Sequence, residues 1–380
     1  MAVETTEYHW KCEQCGAQLR YAPGQTELVC DHCGHVQHIP QADSRARSRA
    51  LVEHDLARGL RDDLPGGAMV EVRTATCTNC GALIEFRNAT HATECPFCAS
   101  PVVLDSGAQR VIKPQALVPF VLSERQAREA MTGWMGSLWF APNTLLEYAR
   151  KGRAMNGVYV PYWTFDAETR SRYTGQRGEA YYETRTVTVN VNGRNERRQE
   201  QQRKIRWHSA AGRVARDFDD VLVLGATSLP TDLGQGLGPW DLDALVPFAA
   251  DYLAGFDAEG YTLPLAEADR QAKGAMAGVI EQDVRRDIGG DEQRIQTIDT
   301  DYAAETFKHI LLPVWMAAYK YNGRSFRFLV NAQSGKVQGE RPWSAWKIAF
   351  AVLVAAIVAI GAIYIGDPEA LGLPRPAWLD

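Results

Sequence analysis

Eight cysteines are the residues whose type and spacing speak most directly of chemistry, and all of them precede residue 99. Cys12, Cys15, Cys30 and Cys33 read C-x2-C-x14-C-x2-C, and Cys77, Cys80, Cys95 and Cys98 repeat that pattern 65 residues later. The flanks keep the same register, pairing Gly16 with Gly81, Ala17 with Ala82, Leu19 with Ile84 and Tyr21 with Phe86. A tetrahedral Zn²⁺ takes four thiolates at about 2.3 Å, and each C-x-x-C turn presents two of them. The spacing therefore predicts two small β zinc ribbons, each holding one structural zinc ion. Identical ligands also hold iron, so the cysteines alone leave zinc and iron both open. Four thiolates leave no coordination position for a reacting water, which excludes catalytic zinc. A disulfide framework fits poorly with an N-terminus that lacks the basic and apolar regions of a secretory signal. His9, His32, His35, His38 and His91 lie nearby, but both four-cysteine sets are complete without them.

A ribbon of some 35 residues buries little apolar surface, so the metal supplies most of its folding free energy. The rest of the chain must position the two sites. The expected order is ribbon 1 over 1–40, a helical spacer over 41–67, ribbon 2 over 68–104 and an α+β core over 105–342. A transmembrane helix over 343–366 and an external tail over 367–380 follow. The spacer rests on the stretch Ser44 to Leu64, where Ala46, Ala50, Leu56 or Ala57, Leu60 and Leu64 fall near one helical face among five arginines and four acids.

The core carries a second, weaker duplication. Leu117-Val118-Pro119-Phe120 returns as Leu245-Val246-Pro247-Phe248, each followed by a helical stretch and a Pro-aromatic strand opening, Pro161-Tyr162-Trp163 and Pro313-Val314-Trp315. Ser123 and Gln126 form a capping box for the first helix, and the second runs from Leu265 to Asp287 and stops at Gly289-Gly290. Alternating Val187, Val189 and Val191 lead into Asn192-Gly193, a hairpin signal, and Asn322-Gly323 marks another. The two prolines are expected at first strand positions, where a missing N–H matters least.

The net charge of −5 excludes a globally basic nucleic-acid coat, yet it is unevenly spread. Thr184 to Arg216 holds nine basic against two acidic residues, or +7, whereas Asp217 to Glu305 holds nineteen acids against five bases, or −14. Arg185, Arg194, Arg197, Arg198, Arg203, Lys204 and Arg206 are therefore candidate contacts for an anionic partner. Trp207 is almost the sole aromatic of that stretch, which argues against a base-stacking platform. No phosphate loop, H-E-x-x-H helix or G-x-S-x-G elbow occurs, and His208-Ser209 has no identifiable third partner, so no enzyme activity and no small-molecule substrate are expected.

Ile348 to Ile365 is an uncharged apolar run of the length that predicts a transmembrane helix. Arg341 and Lys347 before it and Asp367 and Glu369 after it place the N-terminal bulk in the cytoplasm, as a single-pass, tail-anchored protein of the bacterial inner membrane with the lipid bilayer as one partner.

The C-x-x-C pairs, the Pro161-Tyr162-Trp163-Thr164-Phe165 segment and the stretch LPVWMAAYKYNGRSFRFLVNAQSGKVQGERP (residues 312–342) resemble a bacterial family of tail-anchored zinc-ribbon membrane proteins. Its members are often labelled primosomal protein N′ (replication factor Y), helicase-like or transcription-factor-IIB-type zinc-finger proteins. Helicase activity does not carry over, because this sequence has no nucleotide-binding loop. The resemblance implies a membrane-anchored adaptor or scaffold that recruits a cytoplasmic protein partner, of the flotillin-like (SPFH) kind. The alternative, less favoured, is a membrane-tethered nucleic-acid binder that uses the ribbons and the basic hairpin over 185–216.

Overall fold

The computed structural model describes residues 10–40, 43, 51–65, 67–86, 92–95, 97, 100–103, 108–139, 155–191, 194–321, 324–340 and 344–366. The architecture is α+β. The N-terminal sheet has the order β1 (Leu19–Tyr21), β2 (Glu27–Cys30) and β3 (Val36–His38). After it come a two-residue strand β4 (His54–Asp55) and a short helix α1 (Leu56–Leu60). The second cysteine region comprises β5 (Met69–Thr76), β6 (Leu83–Phe86), β7 (Ala92–Glu94), β8 (Pro101–Val103) and β9 (Ala108–Ile112), with β6-β5-β9 in one sheet and β7-β8 as a hairpin.

The remaining strands, together with β4, build a nine-stranded sheet around three very long elements. These are β11 (Asn156–Val191), β12 (Arg194–Leu224) and β15 (Glu292–Tyr321), with β11 in the middle and antiparallel to both neighbours. Shorter strands extend it: β10 (Ala116–Leu117), β13 (Val246–Pro247), β14 (Asp257–Ala258), β16 (Arg324–Asn331) and β17 (Val337–Gly339). Helices α2 (Glu124–Gly136), α3 (Thr231–Gly236), α4 (Leu265–Ile288) and α5 (Ala345–Gly366) complete the chain.

Local chemistry accounts for the ends of these elements. The Ser123–Gln126 capping box forms at α2 as its sequence demands, and Gly289 ends α4 at φ 64°. One stripe of α4 is buried at Leu265, Ala268, Ala272, Met276, Ile280, Val284 and Ile288. The two alanines let the helix approach closely where Trp163 and Phe307 fill the sheet beneath, and the larger residues fill the gap further along. The Leu-Val-Pro-Phe segments lie side by side, with Ala116 opposite Pro247 and Leu117 opposite Val246.

Pro161 and Pro313 do not open their strands. They sit inside β11 and β15, where Pro161 faces Leu311 and Pro313 faces Tyr159. The Pro161 carbonyl still accepts the Gly225 N–H (2.8 Å), so the ring falls where only an acceptor is needed. The spacer also differs from its expectation. Residues 44–50 lie outside the described residues, His54–Asp55 is a strand paired with Phe307 and Thr306, and the helix is confined to Leu56–Leu60, capped by Asp55.

The transmembrane span and the single-pass placement in the inner membrane are overturned. Among the described residues no helix is long and apolar enough to cross a membrane. The helix α5 spans Ala345–Gly366 and carries Lys347 in its first turn. The expected external tail, 367–380, lies outside the described residues.

Side chains alternate along β11 and β15, and this alternation divides the core. Tyr159, Leu311 and Trp315 join one cluster, whereas Val158, Val160, Tyr162, Ile310, Leu312 and Val314 join another on the opposite face. His309 is buried between Trp163 and Tyr261, with Nδ1 2.8 Å from the Ile112 carbonyl oxygen, which therefore receives the Nδ1–H. Burial pulls its pKa down to about 4, so the ring is neutral at pH 7.

The ladder between β11 and β15 slips at Thr174/Gly175, and a Cβ on Gly175 would stand 2.4 Å from the Arg294 carbonyl oxygen. Gly175→Ala must push two strands apart. The expected loss is about 2 kcal/mol, seen as a melting temperature several degrees lower in a thermal scan.

Candidate functional site

The first four cysteines converge. Their sulfur atoms all lie within 4.8 Å of one another, with Cys12–Cys33 at 3.6 Å and Cys15–Cys30 at 3.5 Å. A tetrahedron of 2.3 Å metal–sulfur bonds has edges of about 3.8 Å, so the set fits one metal ion. Each knuckle is made by the backbone: Gly16 N–H donates to Cys12 O (2.8 Å) and Gly34 N–H to Cys30 O (2.9 Å). Both glycines adopt positive φ, 73° and 74°, which the reversal requires. Backbone N–H groups of Cys33 and His32 outweigh burial and pull the Cys30 thiol down to about 6. Around Cys15 the Ala17 N–H favours the thiolate, but burial and the three neighbouring thiols push it up to about 12. Four sulfurs this close cannot all ionise unaided, and a bound cation removes that conflict.

Cys77, Cys80 and Cys95 converge in the same way, with Cys80–Cys95 at 3.6 Å. Cys98, the fourth expected ligand, lies outside the described residues. Gly81 N–H donates to Cys77 O (2.8 Å), and Gly81 has φ 78°, as at the first site. Beside this cluster Glu259 is fully buried and forms a single bridge with Ile84. Burial pushes its carboxyl up to about 8, with the Ser228 hydroxyl and the Leu83 backbone offsetting only part of the shift.

Neither ribbon stands free of the core. Tyr21 N–H donates to Ala254 O (2.9 Å), Gly24 N–H to Phe120 O (2.9 Å), and Trp10 Nε1–H to Asp251 (3.2 Å). The Tyr21 ring meets Tyr252 edge-on at 5.3 Å. Cys12 and Cys30 thus belong to the Tyr159 face of the sheet, and Cys77 and Cys95 to the Val158 face. Among the residues that the first ribbon leaves to solvent are Cys15, His32, Cys33, Gly34, Val36 and His38.

The basic residues do not form one uninterrupted patch. They lie along the hairpin β11–β12, whose far part projects beyond β15. Arg203 pairs with Glu292 (2.9 Å), Lys204 with Glu183, and the Arg206 guanidinium lies over the Tyr181 ring at 5.1 Å. Arg185, Arg197 and Arg198 are exposed near the tip, and Arg194 begins β12. Nearer the body, Arg216 makes two bonds to Asp283 of α4 (2.5 and 2.8 Å), so part of the basic stretch is met by the acidic half.

Sequence reasoning missed one cluster altogether. Glu53, Asp166 and Asp220 bring carboxylate oxygens within 4.8 Å of one another around Lys308. The Lys308 ammonium is 2.8 Å from both Glu53 and Asp220, and it fills the place a cation would take. The β11–β12 ladder shifts register between Phe165 and Ala167, where Asp220 of β12 takes φ 53° and gives its N–H to Asp166 Oδ1 (2.7 Å). Burial pushes Glu53 up, but hydrogen bonds involving Asp166, Lys308 and Thr306 prevail and hold it at about 2. Burial and the hydrogen bond with Glu53 drive Asp166 up to about 7. Lys308 is raised by Asp220 and Glu53 in spite of its burial. The available signal was Lys308 itself, a single cation in the run Phe307 to Leu312. Glu53 also lines a cleft of about 600 Å³ bounded by Arg58, Lys113 and Phe248.

Two predictions follow from these sites. Replacing Cys77 and Cys80 by Ser should lower bound metal from two equivalents per chain to one, measured by elemental analysis, and unchanged content would refute the second site. Asp166 has a raised pKa, so its contribution is full below about pH 4 and is lost as pH rises towards 7. Asp166→Asn keeps the acceptor for Asp220 and supplies a permanent donor. It should add about 1 kcal/mol at pH 8, after discounting for solvent screening, and little at pH 4, read from urea melts at both pH values.

No family model matches the chain, and no solved structure matches it. The chain is similar to the uncharacterized protein YdjG of Bacillus subtilis (strain 168), 26% identical over 345 residues, which cover 90% of this chain and 92% of that protein.

Proposed function

We propose that the chain is a non-enzymatic zinc-ribbon adaptor, whose two structural zinc ions hold rigid knuckles on a sheet core for a protein partner to grip. The observation that carries this reading is the first cysteine site. Its inner half is sealed against the core while Cys15, Cys33 and the histidines His32 and His38 around them stay exposed. A site closed by four thiolates offers a fixed surface and no open position for chemistry. Zinc is preferred over iron because it has no redox chemistry to control and favours the tetrahedral four-thiolate geometry.

The carboxylate cluster supports the same reading. Lys308 pairs with two of its three carboxylates, which suits a structural network better than a poised acid and base. The protein partner implied by the family resemblance is of the flotillin-like kind. Nucleic acid is the rival, resting on the exposed Arg185, Arg197 and Arg198; Glu183 and Glu200 interleave with them and weaken it.

Affinity purification of the tagged full chain separates the two. The adaptor reading expects a protein that co-purifies after nuclease treatment, withstands moderate salt, and is lost when a chelator strips the metal. Loss of every partner on nuclease treatment, with a steep decline in binding as salt rises, would overturn it in favour of nucleic acid.

A further inference from the structure

The hairpin β11–β12 outruns its third strand. Pairing of β11 with β15 ends at Gly178 opposite Glu292, whereas pairing with β12 continues to Val191 opposite Arg194. Among the described residues, the chain from Glu179 to Val191 is therefore a two-stranded ribbon with no third strand, about 40 Å long at 3.3 Å per residue. Such a ribbon is marginal in water unless a further strand or a helix supports it. Its described side chains from Tyr181 to Thr186 are all exposed.

The lane that β15 leaves has a defined start and polarity. Asp291 closes it, taking the Ala180 N–H on its carboxylate (2.7 Å) and giving its own N–H to Gly178 O (2.9 Å). Gly178 and Ala180 therefore turn their backbone groups into the lane, and strand alternation does the same for Tyr182, Thr184, Thr186 and Thr188. The odd-numbered residues between them bond β12. Threonine and valine dominate this segment, and both favour strands.

We propose that a second copy of this chain fills the lane, the two ribbons pairing edge to edge, antiparallel, about a two-fold axis at Thr186. Three considerations favour that register over its neighbours at Thr184 and Arg185. A two-fold axis perpendicular to the sheet pairs even residues with even ones, so the lane-facing groups of both copies meet. An axis at Arg185 would set two guanidinium groups against each other. An axis at Thr184 would bring Asn190 opposite Gly178, the place that Glu292 already occupies. At Thr186 the tip of each ribbon stops at the level of Asp291 of the other, and Thr184 lies opposite Thr188, a favourable cross-strand pair. The result is a continuous sheet in the order β12-β11-β11-β12, with the exposed inner edges gone. The paired edges present a small surface, of the size class of weak, transient interfaces.

Sedimentation of the full chain across a concentration series, up to about 100 μM, tests this. The expected result is a monomer–dimer equilibrium. Thr186→Pro removes one lane-facing N–H and no bond to β12, so it should abolish the dimer while leaving metal content and melting unchanged. Thr186→Cys places two thiols on the axis with Cα atoms about 5.5 Å apart, and should give a reducible cross-linked dimer under mild oxidation. A wild-type chain that stays monomeric throughout, or a Thr186→Pro chain that dimerises as before, overturns the proposal. Should Thr186→Pro melt lower, the cross-link decides, and its failure to form is equally fatal.

Discussion

The antiparallel pairing of β11 with β15 is the constraint on which the rest of the molecule depends. Between Val158 and Phe165 on one strand and Phe307 and Val314 on the other, side chains on both faces are buried. A sheet buried on both faces must be covered twice, and neither strand can slip by one residue without turning each set of side chains onto the wrong cover. The first ribbon and α2 help to cover the Tyr159 face, and the second ribbon and α3 help to cover the Val158 face. The two cysteine clusters are thus held by a common wall on its two sides, though they are close in sequence pattern.

That placement changes what a bound metal would do. A free-standing ribbon depends on its ion alone, but here the buried cysteines are also core residues, and the ribbon shares backbone hydrogen bonds with Phe120 and Ala254. Metal binding at these clusters would be coupled to core packing. The buried Glu259 and the Lys308 cluster sit at the seams where ribbon 2 and the β4 segment meet the sheet, so polar groups that are costly to bury are found where separate segments have to be fixed in one register.

Much of this was legible in the sequence where local chemistry decides. The repeated C-x-x-C spacing placed the ribbon cysteines, and Ser123 with Gln126 and Gly289 placed the ends of α2 and α4. What escaped were features set by distant partners. Nothing near Glu53 says that it will meet Lys308, 255 residues away. Strand length escaped as well, because β11 keeps its pairing through a change from apolar to polar side chains that reads locally as a boundary. Pro161 and Pro313 reinforced that misreading, since the lack of an N–H is tolerable only when the neighbouring strand asks for an acceptor. The apolar run over 348–365 gives a length criterion from composition alone, and that criterion is not met by the described part of α5.

The bare ribbon has one more consequence, for shape. A compact chain of this length has a radius of gyration of about 21 Å, so an arm of some 40 Å is comparable with the whole body's diameter. Such a particle is anisotropic: it tumbles and diffuses more slowly than a sphere of 42.2 kDa, and sweeps out a much larger volume as it rotates. Two bodies joined through their arms would be held well apart rather than in contact.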